Sequence, residues 1–131
     1  MMELAVSEGP SAIAAEMMPR LLGDTTRRTK PAIEEAVRSM IVSNSSTAIA
    51  GALGAIMRRP DSTPLLSSIH RPTLVIAGEE DTLTPPALSQ GLHEAIDGST
   101  LSLVPEAGHL ANLEQPDAFN RAVGAFLSRN F

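Results

Sequence analysis

Residues Thr73 to Pro86 read TLVIAGEEDTLTPP, and the first six letters decide the fold. "TLVIAG" is a short, continuous apolar run, the pattern of a strand buried on both faces. The acids and prolines after Gly78 end it as a loop. "PPALSQGLHEAI" then reads as a helix with Leu88, Leu92, Ala95 and Ile96 on one side. Asp97-Gly98 turns the chain, and "STLSLVP" is a second apolar strand. Pro116 starts a last helix, along which Phe119, Ala122, Val123, Phe126 and Leu127 form an apolar stripe. Strand, helix, strand, helix in this order is a parallel βαβα unit, so the fold class is α/β.

Upstream of Arg71 the period is helical throughout. Gly9-Pro10-Ser11 opens a segment that runs to Leu22, with Gly23 expected as its stop. Pro31 follows Thr29 near a helix start, and Ile33, Val37, Met40 and Ile41 recur at i, i+4, i+7 and i+8. Glu34 and Arg38 make an i,i+4 pair on the opposite face. "SNSST" offers an N-cap to a third helix, where Ile49, Leu53, Ile56 and Met57 repeat the spacing before Pro60 ends it. Each helix has a single apolar stripe and needs a packing partner. Two parallel strands alone leave exposed edges, so the second half reads as the end of a larger sheet.

Composition narrows the function. The chain has 131 residues, of which 43% are apolar and only 2% aromatic, so a core must be built from Leu, Ile, Val, Ala and Met. Met17, Met18, Met40 and Met57 are expected to pack. A net charge of −5 argues against a nucleic-acid surface, which needs a basic patch. The pairs Arg27-Arg28 and Arg58-Arg59 suit helix ends instead. Without cysteine there is no disulfide, thiolate metal site or thiol nucleophile, as expected of a cytoplasmic chain. The start "MMELAVSEGPS" does not read as a signal peptide, and no apolar run is long enough to cross a membrane.

Two residues carry chemistry. Asp81 lies in the loop after the first strand and His109 in "PEAGHL" after the second, at the same end of the same sheet. In open α/β sheets that end carries the chemistry, and adjacent strands lie about 5 Å apart. A carboxylate bonded to one imidazole nitrogen fixes the tautomer and leaves the other nitrogen free as a base. Glu79, Glu80 and Asp81 in succession do not suit one metal ion. His93 is expected to face solvent, away from the apolar stripe of its helix, and His70 precedes its strand, at the wrong end.

With these residues in place, "PTLVIAGEEDTLTPP" and "LSLVPEAGHLANLEQPDAFNRAVGAFL" resemble the last two strands and helices of an α/β-hydrolase. "MMPRLLG" and "RRPDSTPLL" most resemble lids of 3-oxoadipate enol-lactonase-type hydrolases. The resemblance implies the C-terminal part of that fold, with a helical lid over residues 1–66 and a βαβα core over residues 67–131. It also implies that Asp81 is the acid and His109 the base, and that no metal or organic cofactor is required.

The superfamily places its nucleophile on a G-x-S-x-G elbow between strand and helix, before the acid. No G-x-S-x-G occurs here. "AVSEG" around Ser7 has too little chain before it for a strand, and "ALSQG" around Ser89 falls within a helix, between acid and base. The chain therefore reads as the C-terminal fragment of a serine-type hydrolase of an ester or enol-lactone, inactive alone because elbow and oxyanion loop are absent. A homodimer through the sheet edge, or by lid exchange, is expected. The alternative is a non-catalytic dimeric binding or assembly module derived from the same fold.

Overall fold

The computed structural model describes residues 7–131. Among the described residues four α-helices with full bounds come first: α1 (Gly9–Leu21), α2 (Asp24–Thr29), α3 (Pro31–Val42) and α4 (Ser46–Arg58). Pro10 and Pro31 lie in the first turns of α1 and α3, where a missing N–H costs nothing. The Ser45 hydroxyl caps α4 by accepting from the Ala48 amide. A 3₁₀ turn over Thr63–Ser68 leads to β1 (Leu74–Gly78), α5 (Pro86–Ala95), β2 (Thr100–Val104), the short α6 (Ala111–Glu114) and α7 (Pro116–Asn130). The strands pair in parallel, with Leu74 opposite Thr100 and Gly78 opposite Val104. The βαβα unit is thus present as read, after an all-helical half. The short α2, the 3₁₀ turn and α6 had no sequence pattern long enough to announce them.

Two small cores hold these parts. Met18, Leu22 and Val37 form one within the helices, joined by Ile33 and Ile41 and by Leu110 and Leu113 from beyond β2. Val104, Ala107 and Ala111 form the other, against Ile76, Ala118 and Phe119. The segment from Ala107 to Leu113 contributes to both cores and joins the two halves. Its close passage past α1 needs glycine. A Cβ on Gly108 would collide with the backbone of Leu22 and Gly23, and one on Gly78 with the carbonyls of Ala107 and Gly108.

Several expectations need correction. Gly23 does not end α1 by a left-handed turn. Its backbone is extended (φ −63°, ψ 154°), and it serves as N-cap of α2. β1 is only half-buried over Leu74–Ile76, because it has one neighbouring strand. On α5, Leu88 and Leu92 are exposed, while Ser89 and His93 are partly buried. His93 is therefore not solvated as expected: its Nδ1 lies 2.8 Å from the Ser99 hydroxyl. Met40 and Met57 are also exposed, at 54% and 72%, whereas Met18 is buried and Met17 borders a cavity. Of the last helix's stripe, Leu127 is exposed. That cavity, about 330 Å³, lies between α1, α3 and α4 and is walled mainly by Ile13, Met17, Leu21, Ile49, Leu53 and Ile56. Among the described residues no single helix is long and apolar enough to cross a membrane. The reading of Met1 to Val6 as free of a signal peptide lies outside the described residues.

Candidate active site

Pairing of Gly78 with Val104 brings the two strand ends level, and the loops beyond them are bonded to each other. The Glu79 amide donates to the Val104 carbonyl (2.9 Å) and the Glu80 amide to that of Ala107 (2.8 Å). Asp81 and His109 consequently meet. His109 Nδ1 lies 2.8 Å from Asp81 Oδ2, with the carboxylate side chain 4% exposed and the imidazole 34%. The other carboxylate oxygen, Oδ1, accepts from the amides of Leu83 and Thr84, each at 2.9 Å. The Thr84 hydroxyl donates to Oδ2 at 2.8 Å. Burial alone would raise the Asp81 pKa. The Thr84 amide, the His109 ring and the Thr84 hydroxyl outweigh it and hold the carboxyl below its ordinary range.

An ionised Asp81 accepts, so Nδ1 must carry the proton. In the neutral ring this tautomer puts the lone pair on Nε2, the arrangement a general base requires. The pair opens on a cavity of about 140 Å³ that Ile76, Gly78, Thr84, Ser89 and Phe119 also line. Ser89 is thus close to the pair, but it sits within α5 and makes no hydrogen bond to His109. Ser7 is exposed and does not line this cavity; Ala5 and Val6 of its pentapeptide lie outside the described residues. His70 is exposed and lies at the other end of β1, where it borders a depression with Asp97 and Asn130.

The successive acids Glu79, Glu80 and Asp81 point in different directions. Glu79 is exposed, Asp81 faces His109, and Glu80 turns to α2, where it accepts from the Thr25 amide (2.8 Å) and hydroxyl. Burial would raise the Glu80 pKa, but the Thr25 bonds, the Arg28 charge and the Asp24 amide lower it. Among the described residues no three His, Cys, Asp or Glu side chains are grouped to hold a metal.

Sequence reasoning missed one acid altogether. Glu114 is fully buried, and its carboxylate accepts from the amides of Gly23 (2.8 Å), Gly108 (2.9 Å) and Leu110 (3.2 Å). The one available signal was an acid within the otherwise uncharged run "LANLEQP" after His109. The turn leading to His109 has a left-handed residue that is not a glycine: Glu106, at φ 55°.

The α/β hydrolase family model matches residues 3–122. The chain belongs to the α/β-hydrolase family. It is 35% identical over 127 residues to 3-oxoadipate enol-lactonase 2 of Acinetobacter baylyi, covering 97% of this chain and 47% of that protein. Among solved structures it is similar to a thermophilic esterase from Thermogutta terrifontis, at 38% identity and a TM-score of 0.92 over 98% of this chain and 47% of the esterase. It is also similar to the enol-lactonase from Burkholderia xenovorans LB400, at 30% identity and a TM-score of 0.89 over 97% of this chain and 48% of the lactonase. The chain therefore spans about half the length of these relatives. The expected fold class is the one found, a helical half followed by a parallel βαβα unit of the α/β-hydrolase fold.

Proposed function

We propose that this chain supplies the acid and base of a serine-type α/β-hydrolase acting on an ester or enol-lactone, with the nucleophile contributed by the other half of the fold. The observation that carries the reading is the Asp81–His109 pair, with Nδ1 engaged at 2.8 Å and Nε2 free beside a cavity at the end of β1. In this reading Nε2 takes the proton of a serine hydroxyl as the oxygen attacks the acyl carbon. It returns that proton to the departing alkoxide or enolate, then activates water to release the acid. Asp81 stays ionised throughout, orienting the ring and stabilising the imidazolium. The helices act as a lid. Leu21 ties them to the site: it lines their apolar cavity, and its carbonyl accepts from the His109 amide at 3.0 Å. In this reading the chain is inactive by itself, since its sequence holds no G-x-S-x-G elbow, and losing even one oxyanion donor costs about 10²–10³ in rate.

The test is complementation. The chain alone should not turn over short p-nitrophenyl esters. Mixing or co-expressing it with the amino-terminal half of the Acinetobacter lactonase should produce turnover that His109→Ala abolishes. Activity of the complemented pair that survives His109→Ala would refute the base assignment. Turnover by the isolated chain that depends on His109 would refute its inactivity. A second reading, a non-catalytic dimeric assembly module, draws on the unpaired edge of β1 and the exposed Leu88, Ile56 and Met57. A dimer that refuses the complementing half would favour it.

A further inference from the structure

Glu114 is the least expected group in the molecule. A fully buried carboxylate is costly unless every lone pair finds a donor, because it exchanges water for a low-dielectric interior. Here the donors are three main-chain amides. Oε1 accepts from Gly108 and Leu110, the residues on either side of His109. Oε2 accepts from Gly23, at the exit of α1. The amide between those two, that of His109, donates in the other direction to the Leu21 carbonyl. Four main-chain bonds thus hold three consecutive residues against the α1–α2 turn, and three of the four end on one side chain. Lys30 strengthens the arrangement by donating from Nζ to the Glu114 carbonyl at 2.6 Å.

We propose that Glu114 is a positioning residue: it fixes the backbone on both sides of His109 against the helical half, and so sets the imidazole at bonding distance from Asp81. The chemistry requires it. The imidazole side chain is one-third exposed and, among the described residues, its hydrogen-bond partners lie in the Asp81 loop, so its placement depends on where its backbone is held. Val104 and Ile76 of the sheet pack against Ala107 and Ala111, and Leu110 joins the helical core, but such apolar contacts are non-directional. Ala107 and Ala111 are small, and Gly108 has no side chain to pack. A carboxylate serving both flanking amides provides a directional anchor that small residues cannot. It also means that displacement of the α1–α2 turn would be transmitted to the base through Gly23. The inference rests on the reading of His109 as the base only for its catalytic meaning.

The test uses NMR on the full chain, without substrate. In the unaltered protein the Nδ1 proton of His109 should be far downfield and protected, and Asp81 should titrate below the ordinary carboxylate range. Glu114→Gln keeps the size and one acceptor but places an NH₂ against an amide donor. In a variant whose far-ultraviolet circular dichroism matches the parent, the Nδ1 signal should be lost and the Asp81 titration should move upward. Glu114→Asp, which keeps both oxygens, should restore part of the signal. Thr25→Ala loosens the same helical half at Glu80 and should leave the signal in place. A folded Glu114→Gln that retains both signatures, or a Thr25→Ala that loses them equally, overturns the proposal. If Glu114→Gln does not fold, amide exchange in the unaltered chain decides. Gly23, Gly108 and Leu110 should exchange together and at least about tenfold more slowly than the exposed loop amides. Exchange of Gly108 and Leu110 at exposed-loop rates overturns it. Because no turnover is read, this result and that of the complementation experiment are independent.

Discussion

At the scale of the residue, Asp81 makes the most direct prediction. Its carboxyl is held below the ordinary range in the fold, whereas in the unfolded chain it titrates near 3.9. A group whose folded pKa is depressed stabilises the fold at every pH above its unfolded value, and that contribution is withdrawn as pH falls through the lower folded value. The acid limb of stability should therefore be steeper below about pH 4 in the parent than in Asp81→Asn. At pH 7 the variant should be less stable by about 1–3 kcal/mol, since buried donors lose an ionised acceptor. Urea midpoints across a pH series check both statements, and parallel acid limbs would contradict the first. Glu80, similarly depressed, contributes to both proteins and cancels in the comparison.

The same scale shows what could be read from sequence. Asp81 and His109 were legible because each follows an apolar run, and two parallel strands must end side by side. Thr84, Glu80 and Glu114 were not. Glu80 and Glu114 accept from main-chain amides and a hydroxyl up to 91 residues away, Thr84 donates to a carboxylate in its own loop, and no side-chain period records such bonds. Glu106 was hidden for another reason. A left-handed backbone is normally marked by glycine or asparagine, and here a glutamate adopts it while the nearby Gly108 meets a steric need instead.

Among the elements, the α1–α2 turn and the His109 loop approach too closely for any side chain at Gly108. Gly108→Ala places a methyl group in the backbone of Leu22 and Gly23, and backbone cannot rotate away as a side chain can. It should cost about 1–3 kcal/mol or more, as overpacking does. Gly98→Ala offers the control. That residue has φ +70° and open space around it, so only conformational strain of about 1 kcal/mol is expected. Urea unfolding of both variants should rank Gly108→Ala as the more damaging, and the reverse order would mean that the loop does not pass so near α1. The elements themselves were largely legible, since helix and strand periods and the Pro and Gly stops lie in the local sequence. The direction α5 faces was not. Its stripe predicts Leu88, Leu92, Ala95 and Ile96 on the packed side; Ile96 is buried, yet Leu88 and Leu92 are exposed while Ser89 and His93 are partly buried. Periodicity identifies an apolar stripe but cannot say which structure covers it.

At the scale of the whole molecule, a pattern joins these exposed residues. Among the described residues β1 pairs on one side only, and Leu88, Ile56, Met57 and Leu65 are each more than half exposed. A two-stranded sheet is marginal alone, and an open edge with apolar flanks is a template for another strand. We propose two occupants for it: a second copy of this chain, and the other half of an α/β-hydrolase. The expected state of the isolated 13.8 kDa chain is a homodimer, which static light scattering at micromolar concentration measures directly. Leu88→Lys places a charge among these exposed apolar residues and should shift the chain toward monomer. If both occupants use the same edge, they exclude each other. Adding the amino-terminal half of a relative should then convert the dimer into a one-to-one complex, and ester turnover should rise in proportion to the dimer lost. A ternary assembly that keeps the dimer intact while gaining activity would place the self-association on another surface, leaving the exchange of lid helices as its route.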